Sequence, residues 1–150
     1  MKLFLDNEAA TTALAERFAA VLPERLSGLT ILLEGELGAG KSTFARGLIR
    51  SLGHAGPVPS PTYTLVEPYE LASGTIYHVD LYRVSSEEEL RFLGWNELDN
   101  GLRLVEWPDR APELADTADI RVTLGYDGDG RSVQIQALSA PGRELIADIK

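Results

Sequence analysis

The chain contains no cysteine among its 150 residues. A disulfide framework and a cysteine-ligated metal site are therefore excluded, which fits a reducing compartment. The sequence also has no apolar run that approaches the roughly 20 residues needed to span a bilayer, and no basic segment followed by an apolar leader at its start. We therefore expect a cytoplasmic protein with no membrane association.

Lysine is scarce, because the only lysines are Lys2, Lys41 and Lys150 and every other basic residue is arginine. An Asn-Lys-x-Asp guanine motif is thereby absent, which excludes GTP recognition by the usual GTPase route. Lys41 is the only lysine away from the termini. A compact ammonium suits a phosphate pocket, whereas a planar guanidinium has a different shape and donor geometry.

Positive charge is also in short supply, since 14 basic residues stand against 23 acidic ones and the net charge is −9. An acidic chain repels a polyanion, so tight direct binding of nucleic acid is disfavoured. Binding of a nucleotide is not disfavoured. Backbone amides and Mg²⁺ can supply the positive field that a nucleotide needs locally.

What the sequence does contain is a complete P-loop pattern, Gly35-Glu36-Leu37-Gly38-Ala39-Gly40-Lys41-Ser42. An apolar run at 29–33 precedes it as an expected strand, and an amphipathic run at 43–52 follows as an expected helix. Between strand and helix, loop N–H groups and the helix dipole converge on one point. We expect Lys41 to reach the β- and γ-phosphates, Ser42 to ligate Mg²⁺, and Thr43 to donate to the α-phosphate.

The rest of the sequence alternates expected strands and helices, with no break in composition and 44% hydrophobic residues. We predict a single domain over 1–150 with a three-layer α/β P-loop NTPase fold, in which a mainly parallel central sheet has an antiparallel portion. Asp6 or Asn7 is expected to cap the first helix. The further expected helices lie at 8–22 and 86–93, and the further strands at 63–66, 75–79, 102–105, 120–124 and 133–137.

Two acidic residues end expected strands and are candidates for holding Mg²⁺. Asp80 follows the strand at 75–79, and Glu106 follows the strand at 102–105. Because the carboxyl ends of parallel strands face the same crevice, either acid can contact the metal, directly or through water. His78 lies within an apolar strand, and we expect it in the core or supporting the site rather than acting as a base.

A proline-rich segment follows the P-loop helix and carries several hydroxyl groups, in the run Ser60-Pro61-Thr62-Tyr63-Thr64. Its prolines disfavour a helix. Nucleotide switches often lie at such a position, so we expect Thr62 to sense the γ-phosphate and Mg²⁺. A polar loop with no special role is the alternative.

Together these segments resemble the bacterial TsaE family, formerly called YjeE, between about 32 and 108. The resemblance is carried by the P-loop and by three further runs, Ser60-Pro61-Thr62-Tyr63-Thr64-Leu65-Val66, His78-Val79-Asp80-Leu81-Tyr82-Arg83 and Val105-Glu106-Trp107-Pro108. No motif marks the segment after about 118.

The resemblance implies a small Mg²⁺-dependent ATPase needed to make threonylcarbamoyladenosine in tRNA. It implies partners, the TsaD and TsaB subunits, which carry out the transfer while the ATPase resets them; contact with tRNA would be only indirect. By the same resemblance, Lys41, Ser42, Thr43 and Thr62 bind nucleotide, Asp80 and Glu106 serve the metal and hydrolysis, and Trp107 lines the site.

Two other functions fit a P-loop. A small-molecule kinase would use the same loop, but it usually needs an arginine-bearing lid, and Arg83, Arg91 and Arg103 are scattered along the sequence. A nucleotide-gated interaction protein with negligible hydrolysis is the third possibility. Turnover of ATP, and its dependence on partners, distinguishes the three.

Overall fold

A computed structural model describes residues 1–149, which form one seven-stranded mixed sheet with helices on both faces. The strands are β1 (Lys2–Leu5), β2 (Thr30–Glu34), β3 (Val66–Leu71), β4 (Gly74–Asp80), β5 (Leu102–Glu106), β6 (Ile120–Asp127) and β7 (Gly130–Ala137). The helices are α1 (Glu8–Val21), α2 (Lys41–Ser51), α3 (Glu87–Phe92) and α4 (Ala140–Asp148), and short 3-10 turns lie between α3 and β6.

The strand order is β1-β7-β6-β2-β5-β4-β3. The four inner strands β6, β2, β5 and β4 are mutually parallel, whereas β1, β7 and β3 are antiparallel to their neighbours. The mainly parallel sheet with an antiparallel portion is therefore confirmed. Because β2 lies between β5 and β6, the loop that follows β2 opens at the carboxyl ends of neighbouring strands, where α/β proteins bind ligands.

Alternate residues of β2 enter two hydrophobic cores, one on each face of the sheet. Ile31 and Leu33 pack beneath α1 and α2, where the rings of Phe18 and Phe44 meet edge to face with centroids 5.2 Å apart. Leu32 faces the opposite core, which α3 and the 3-10 turns cover. Two helical layers therefore hold β2 and the start of the P-loop from both sides.

Helices α1 and α3 both have a side-chain N-cap. The Asn7 side chain accepts the Ala10 N–H at 2.9 Å, which decides between Asp6 and Asn7, and Ser86 caps α3 through the Glu89 N–H. Helix α2 begins at Lys41, two residues earlier than expected. None of the helices within residues 1–149 is long and apolar enough to cross a membrane.

The expected strand at 63–66 is wrong. A turn closes there, with the Leu65 N–H donating to the Pro61 carbonyl at 2.7 Å and Leu65 at a φ of 71°. The strand starts only at Val66 and contains Pro68, which a sheet accepts because β3 is an edge strand. The hydroxyl-bearing segment therefore stays out of the sheet and lies beside the P-loop.

Two elements were not expected from the sequence, β1 and α4. Strand β1 is only four residues long and pairs with β7, a partner more than 120 residues away. Helix α4 is capped by Ser139, whose hydroxyl accepts the Gly142 N–H and donates to the buried Asp119 carboxylate at 2.6 Å. Both elements depend on tertiary contacts, which local periodicity does not report.

Candidate functional site

The P-loop, residues 35–42, turns sharply between β2 and α2, and its glycines make that path accessible. Gly35, Gly38 and Gly40 have φ values of 149°, 81° and 114°, which side chains rarely adopt. A Cβ at Gly35 would also collide with the carbonyl of Leu124 on β6. The loop therefore brings bare backbone to the N-terminus of α2.

Lys41, the first residue of α2, is buried, with 5% of its surface exposed. Its Nζ donates to the Gly35 carbonyl and, at 3.2 Å, to the Glu36 carbonyl. Burial lowers the pKa of Lys41 from its ordinary value, and the nearby carboxylates of Glu106 and Asp80 partly oppose that effect. The ammonium is thus partly desolvated and held on weak neutral acceptors, which a phosphate can replace.

The Lys41 ammonium is covered by Trp107, whose ring centroid lies 3.8 Å from Nζ. Trp107 has a left-handed backbone with a φ of 57°, immediately before Pro108. This conformation is uncommon for a bulky residue. The Tyr82 ring packs against the indole at a tilt, with a centroid distance of 4.9 Å. The ring is therefore held over the lysine.

Ser42 and Glu106 meet at the start of α2. The Ser42 hydroxyl donates to Glu106 Oε1 at 3.3 Å, and the other carboxylate oxygen, Oε2, lies 2.5 Å from His78 Nε2. Both Glu106 and His78 are buried, at 2% and 1% exposure. His78 is therefore a core residue that touches a site residue, as the sequence indicated.

Asp80 lies directly beside Glu106 in the register of β4 and β5. Asp80 Oδ2 accepts the Thr62 hydroxyl at 3.1 Å, and Oδ1 accepts the Tyr82 N–H at 2.9 Å. Thr62 Oγ1 is also 2.9 Å from the Ser60 hydroxyl. The proline-rich segment is thus hydrogen-bonded through Thr62 to Asp80, the last residue of β4.

These side chains converge on one cavity. Its lining is Leu37, Gly38, Gly40, Lys41, Ser42, Thr43, Ser60, Thr62, Asp80, Glu106 and Trp107. Three of the expected loop residues do not line it: Gly35 and Glu36 supply carbonyls to Lys41, and Ala39 is buried in the core. Ser60 lines it without having been singled out as a site residue.

The donor set fits Mg²⁺ in the way that P-loop sites do. Mg²⁺ prefers oxygen ligands and is usually held by one or two carboxylates together with substrate phosphates. Ser42 and Glu106 place a hydroxyl and a carboxylate oxygen 3.3 Å apart, with Asp80 on the adjacent strand. Within residues 1–149 no three acidic, histidine or cysteine side chains form a group that could hold a metal ion.

A second groove adjoins the first along Gly38, Gly40 and Thr43. It extends away from the acids, between the start of α1 and the β6–β7 hairpin. Its other lining residues are Asn7, Glu8, Thr11, Asp129, Gly130 and Arg131. Sequence patterns did not reveal this groove, because no spacing rule connects α1 and the hairpin to a loop distant from both in the chain.

Comparisons with known proteins agree on one family. The family model TsaE, described as "Threonylcarbamoyl adenosine biosynthesis protein TsaE", matches residues 5–133. The tRNA threonylcarbamoyladenosine biosynthesis protein TsaE of Haemophilus influenzae is 36% identical over 96% of this chain and 94% of its own length. The protein of that name from a Nostoc species is 37% identical over 97% of this chain and 91% of its own length.

A solved structure is also similar. The crystal structure of Bacillus subtilis YdiB superposes with a TM-score of 0.79 and 27% sequence identity, and the alignment covers 99% of this chain and 93% of that one. The similarity therefore includes β1, the hairpin and α4, which lie outside the segment that the sequence motifs marked.

Proposed function

This chain belongs to the TsaE family, and we propose that it serves the threonylcarbamoyladenosine modification of tRNA as a Mg²⁺-dependent ATP-binding protein with weak ATPase activity. In this proposal the protein acts on the TsaD–TsaB complex and does not transfer the threonylcarbamoyl group itself. The observation that carries the proposal is the Ser42–Glu106 contact at the N-terminus of α2, in a cavity that Lys41 and Asp80 also line.

Phosphate binding follows from the loop. The N-terminus of α2 supplies unpaired N–H groups and the positive end of the helix dipole. Lys41 now donates to two neutral carbonyls, and charged phosphate oxygens are stronger acceptors. When a triphosphate enters, the ammonium therefore leaves those carbonyls for the β- and γ-phosphates.

Glu106 and Asp80 have different roles in this proposal. Glu106 accepts a hydrogen bond from Ser42 and would hold Mg²⁺ together with that hydroxyl, whereas Asp80 accepts a hydrogen bond from Thr62. Mg²⁺ bound by Ser42, Glu106 and phosphate oxygens would neutralise charge on the β- and γ-phosphates. Because the Thr62 hydroxyl is hydrogen-bonded to Asp80, a γ-phosphate bound beside Asp80 would change the contacts of Thr62. The order of the proline-rich segment would then depend on the γ-phosphate.

Weak hydrolysis is consistent with the lining of the cavity, which contains no arginine among its eleven described residues. An arginine supplied by a partner to a phosphoryl-transfer site is worth about 10³ to 10⁵ in rate. The absence of a lining arginine also disfavours a small-molecule kinase, which needs cationic cover over the phosphates. We therefore favour an ATPase that a partner completes.

The nucleoside end of ATP is assigned to the second groove. Thr43 and Gly40 line both the main cavity and this groove, so a nucleotide whose phosphates lie over α2 can extend into it. The groove offers the Asn7 and Thr11 side chains as polar contacts. This placement leaves the acidic crevice at the γ-phosphate end.

A protein partner is supported by the rim of the cavity. Leu37 and Tyr63 are each 83% exposed, and Tyr82 is 48% exposed beside Trp107. Exposed apolar side chains that surround a site are typical of interaction surfaces. The net charge of −9 favours a protein partner over direct contact with tRNA.

The decisive experiment measures ATP hydrolysis by this protein with and without the TsaD–TsaB pair. We expect slow turnover alone and faster turnover with the pair. Unchanged turnover would contradict the proposed role on that complex, and ³²P transferred from ATP to a metabolite would support the kinase instead.

Two variants separate ATP binding from hydrolysis. Lys41→Ala should mainly weaken ATP binding, whereas Glu106→Ala should bind ATP and mainly slow turnover. Glu113→Ala, an exposed acid outside the cavity, is the matched control. If Glu106→Ala hydrolyses ATP at the wild-type rate, the role assigned to Glu106 is wrong; if no variant and no partner affects a negligible rate, a nucleotide-gated interaction protein is favoured.

A further inference from the structure

Two side chains at the tip of the β6–β7 hairpin donate hydrogen bonds to the P-loop. The Tyr126 hydroxyl donates to the Leu37 carbonyl at 2.6 Å, and Arg131 Nη2 donates to the Gly38 carbonyl at 3.2 Å. We propose that Tyr126 and Arg131, here called the hairpin clamp, are positioning residues that hold the P-loop in its phosphate-binding shape. The inference rests on the proposed function, in which this loop binds ATP.

The clamp is built as one unit. Tyr126 and Arg131 are direct partners in the antiparallel register of β6 and β7, and the guanidinium lies 4.4 Å from the centroid of the tyrosine ring. Arg131 Nη1 also donates to the Gly130 carbonyl at 2.8 Å, which fixes the guanidinium. Cross-strand pairs of this kind stabilise each other, so the two donors reach the loop in a fixed relation.

The Tyr126 bond sets the direction of a loop N–H group. The Leu37 carbonyl and the Gly38 N–H belong to one peptide plane, and residues 1–149 contain no cis peptide. In a trans peptide the carbonyl and the N–H point in opposite directions. Since Tyr126 holds the carbonyl on the hairpin side, the Gly38 N–H points away from the hairpin, and Gly38 lines the boundary between the main cavity and the second groove.

The Arg131 bond acts on the next peptide. The Gly38 carbonyl that it holds shares a plane with the Ala39 N–H, which donates to the Glu36 carbonyl at 3.0 Å. Arg131 therefore reinforces the turn that closes the loop. Together the two contacts fix successive peptide planes, one presenting an N–H to phosphate and the other closing the turn behind it.

The glycine at position 38 makes the clamp possible. A Cβ there would lie 2.6 Å from the Tyr126 hydroxyl oxygen, so a side chain would displace the tyrosine. Tyr126 is 51% exposed, and an exposed hydroxyl adds little to global stability. Loss of the Tyr126 hydroxyl is therefore expected to affect the P-loop and not the overall stability. A residue that only packs in the core would show the opposite pattern.

Tyr126→Phe removes the hydroxyl and keeps the ring on Arg131. The matched control is Tyr77→Phe, which removes the hydroxyl that donates to Asn100 at 2.7 Å, outside both grooves. Binding of ATP and of ADP is measured by calorimetry, and the ¹⁵N order parameter of Gly38 is measured without nucleotide. We expect Tyr126→Phe to raise both Kd values by about three- to tenfold, the range for one lost hydrogen bond, and to lower the Gly38 order parameter. Tyr77→Phe should change neither, and the two variants should melt at similar temperatures.

Arg131→Lys is the second variant, because it keeps the charge and removes the planar fork. It should raise the same Kd values, and the double variant should lose less than the product of the two single effects since the residues act together. Wild-type Kd values and a wild-type Gly38 order parameter in Tyr126→Phe would overturn the proposal. If the wild-type protein binds neither ATP nor ADP, the proposed function fails instead, and the Gly38 order parameter alone then decides whether the clamp holds the loop.

Discussion

His78 Nε2 lies 2.5 Å from Glu106 Oε2, and neither side chain is more than 2% exposed. The other ring nitrogen, Nδ1, has no hydrogen-bond partner in the described part of the chain. A carboxylate oxygen accepts hydrogen bonds, so Nε2 is the donor in this contact. His78 is therefore a fixed donor that orients the carboxylate whose other oxygen accepts from Ser42.

Substitution of His78 should separate hydrogen bonding from packing. Glutamine places an amide N–H near the position of Nε2, whereas the shorter asparagine does not reach it. We expect His78→Asn to slow ATP turnover roughly tenfold, as is common when a residue that orients a metal-site ligand is lost, with little change in the Kd for ATP. His78→Gln should keep most of the turnover. Equal rates in the two variants would contradict the role of the Nε2 donor.

Lys41→Met should abolish tight ATP binding and leave the protein at least as stable at pH 7. Burial lowers the pKa of Lys41 below that of an unfolded lysine, so the charged form is less favourable in the folded state. The methionine side chain is apolar and of similar length, so its burial carries no desolvation cost of a charge. Urea unfolding and ATP titration of the two proteins test both halves of the prediction.

The stability difference between Lys41→Met and the wild type should narrow as the pH rises above neutrality. With a lowered folded pKa, the unfolded wild type binds more protons than the folded state between that pKa and about 10.5. Its free energy of unfolding therefore increases with pH in this window. Urea unfolding at pH 7 and pH 10 measures the difference, and a gap that widens would show that the sign is wrong.

Trp107 should report nucleotide binding. In the structure its ring covers the Lys41 ammonium, and we expect that ammonium to move toward the phosphates. Since the chain has two tryptophans, Trp95→Phe leaves Trp107 as the only indole. Its emission should change on addition of Mg·ATP, and the added change Lys41→Ala should remove the response. Identical spectra at saturating ATP would contradict the predicted movement.

Thr62 should couple the γ-phosphate to the proline-rich segment. Hydrogen exchange across 58–65 is expected to slow more with a non-hydrolysable ATP analogue than with ADP, because only the former brings a γ-phosphate to the Thr62–Asp80 pair. Thr62→Val removes the hydroxyl and should abolish the difference, whereas Thr62→Ser should keep it. Equal exchange with both nucleotides in the wild type would refute the coupling.

Local pattern was sufficient to predict the centre of the fold and which strand ends meet beside the P-loop. The P-loop, Asp80 and Glu106 lie where strand ends and motif spacing placed them, because parallel strands align their carboxyl ends. The start of β3 was missed because the turn before it depends on the left-handed Leu65, and because Pro68 fits a strand only at a sheet edge. Neither feature has a periodicity that a sequence displays.

The clamp residues were also beyond prediction. Tyr126 lies just beyond the strand expected at 120–124, and its hydroxyl reaches a carbonyl 89 positions away. That contact depends on β6 lying beside β2, which follows from the whole sheet rather than from any short segment. Long-range side-chain contacts to backbone groups leave no signature in a single sequence.

The position of β2 between β5 and β6 also affects how the protein folds during its synthesis. Both neighbours of the P-loop strand are encoded after position 101, at 102–106 and 120–127. A nascent chain of about 100 residues therefore carries the entire P-loop motif while β2 has no strand to pair with. Such late, non-local pairing slows folding and leaves an apolar strand open to wrong partners in the meantime. If the protein binds nucleotide as proposed, that binding stabilises the native state only after β5 and β6 have been synthesised.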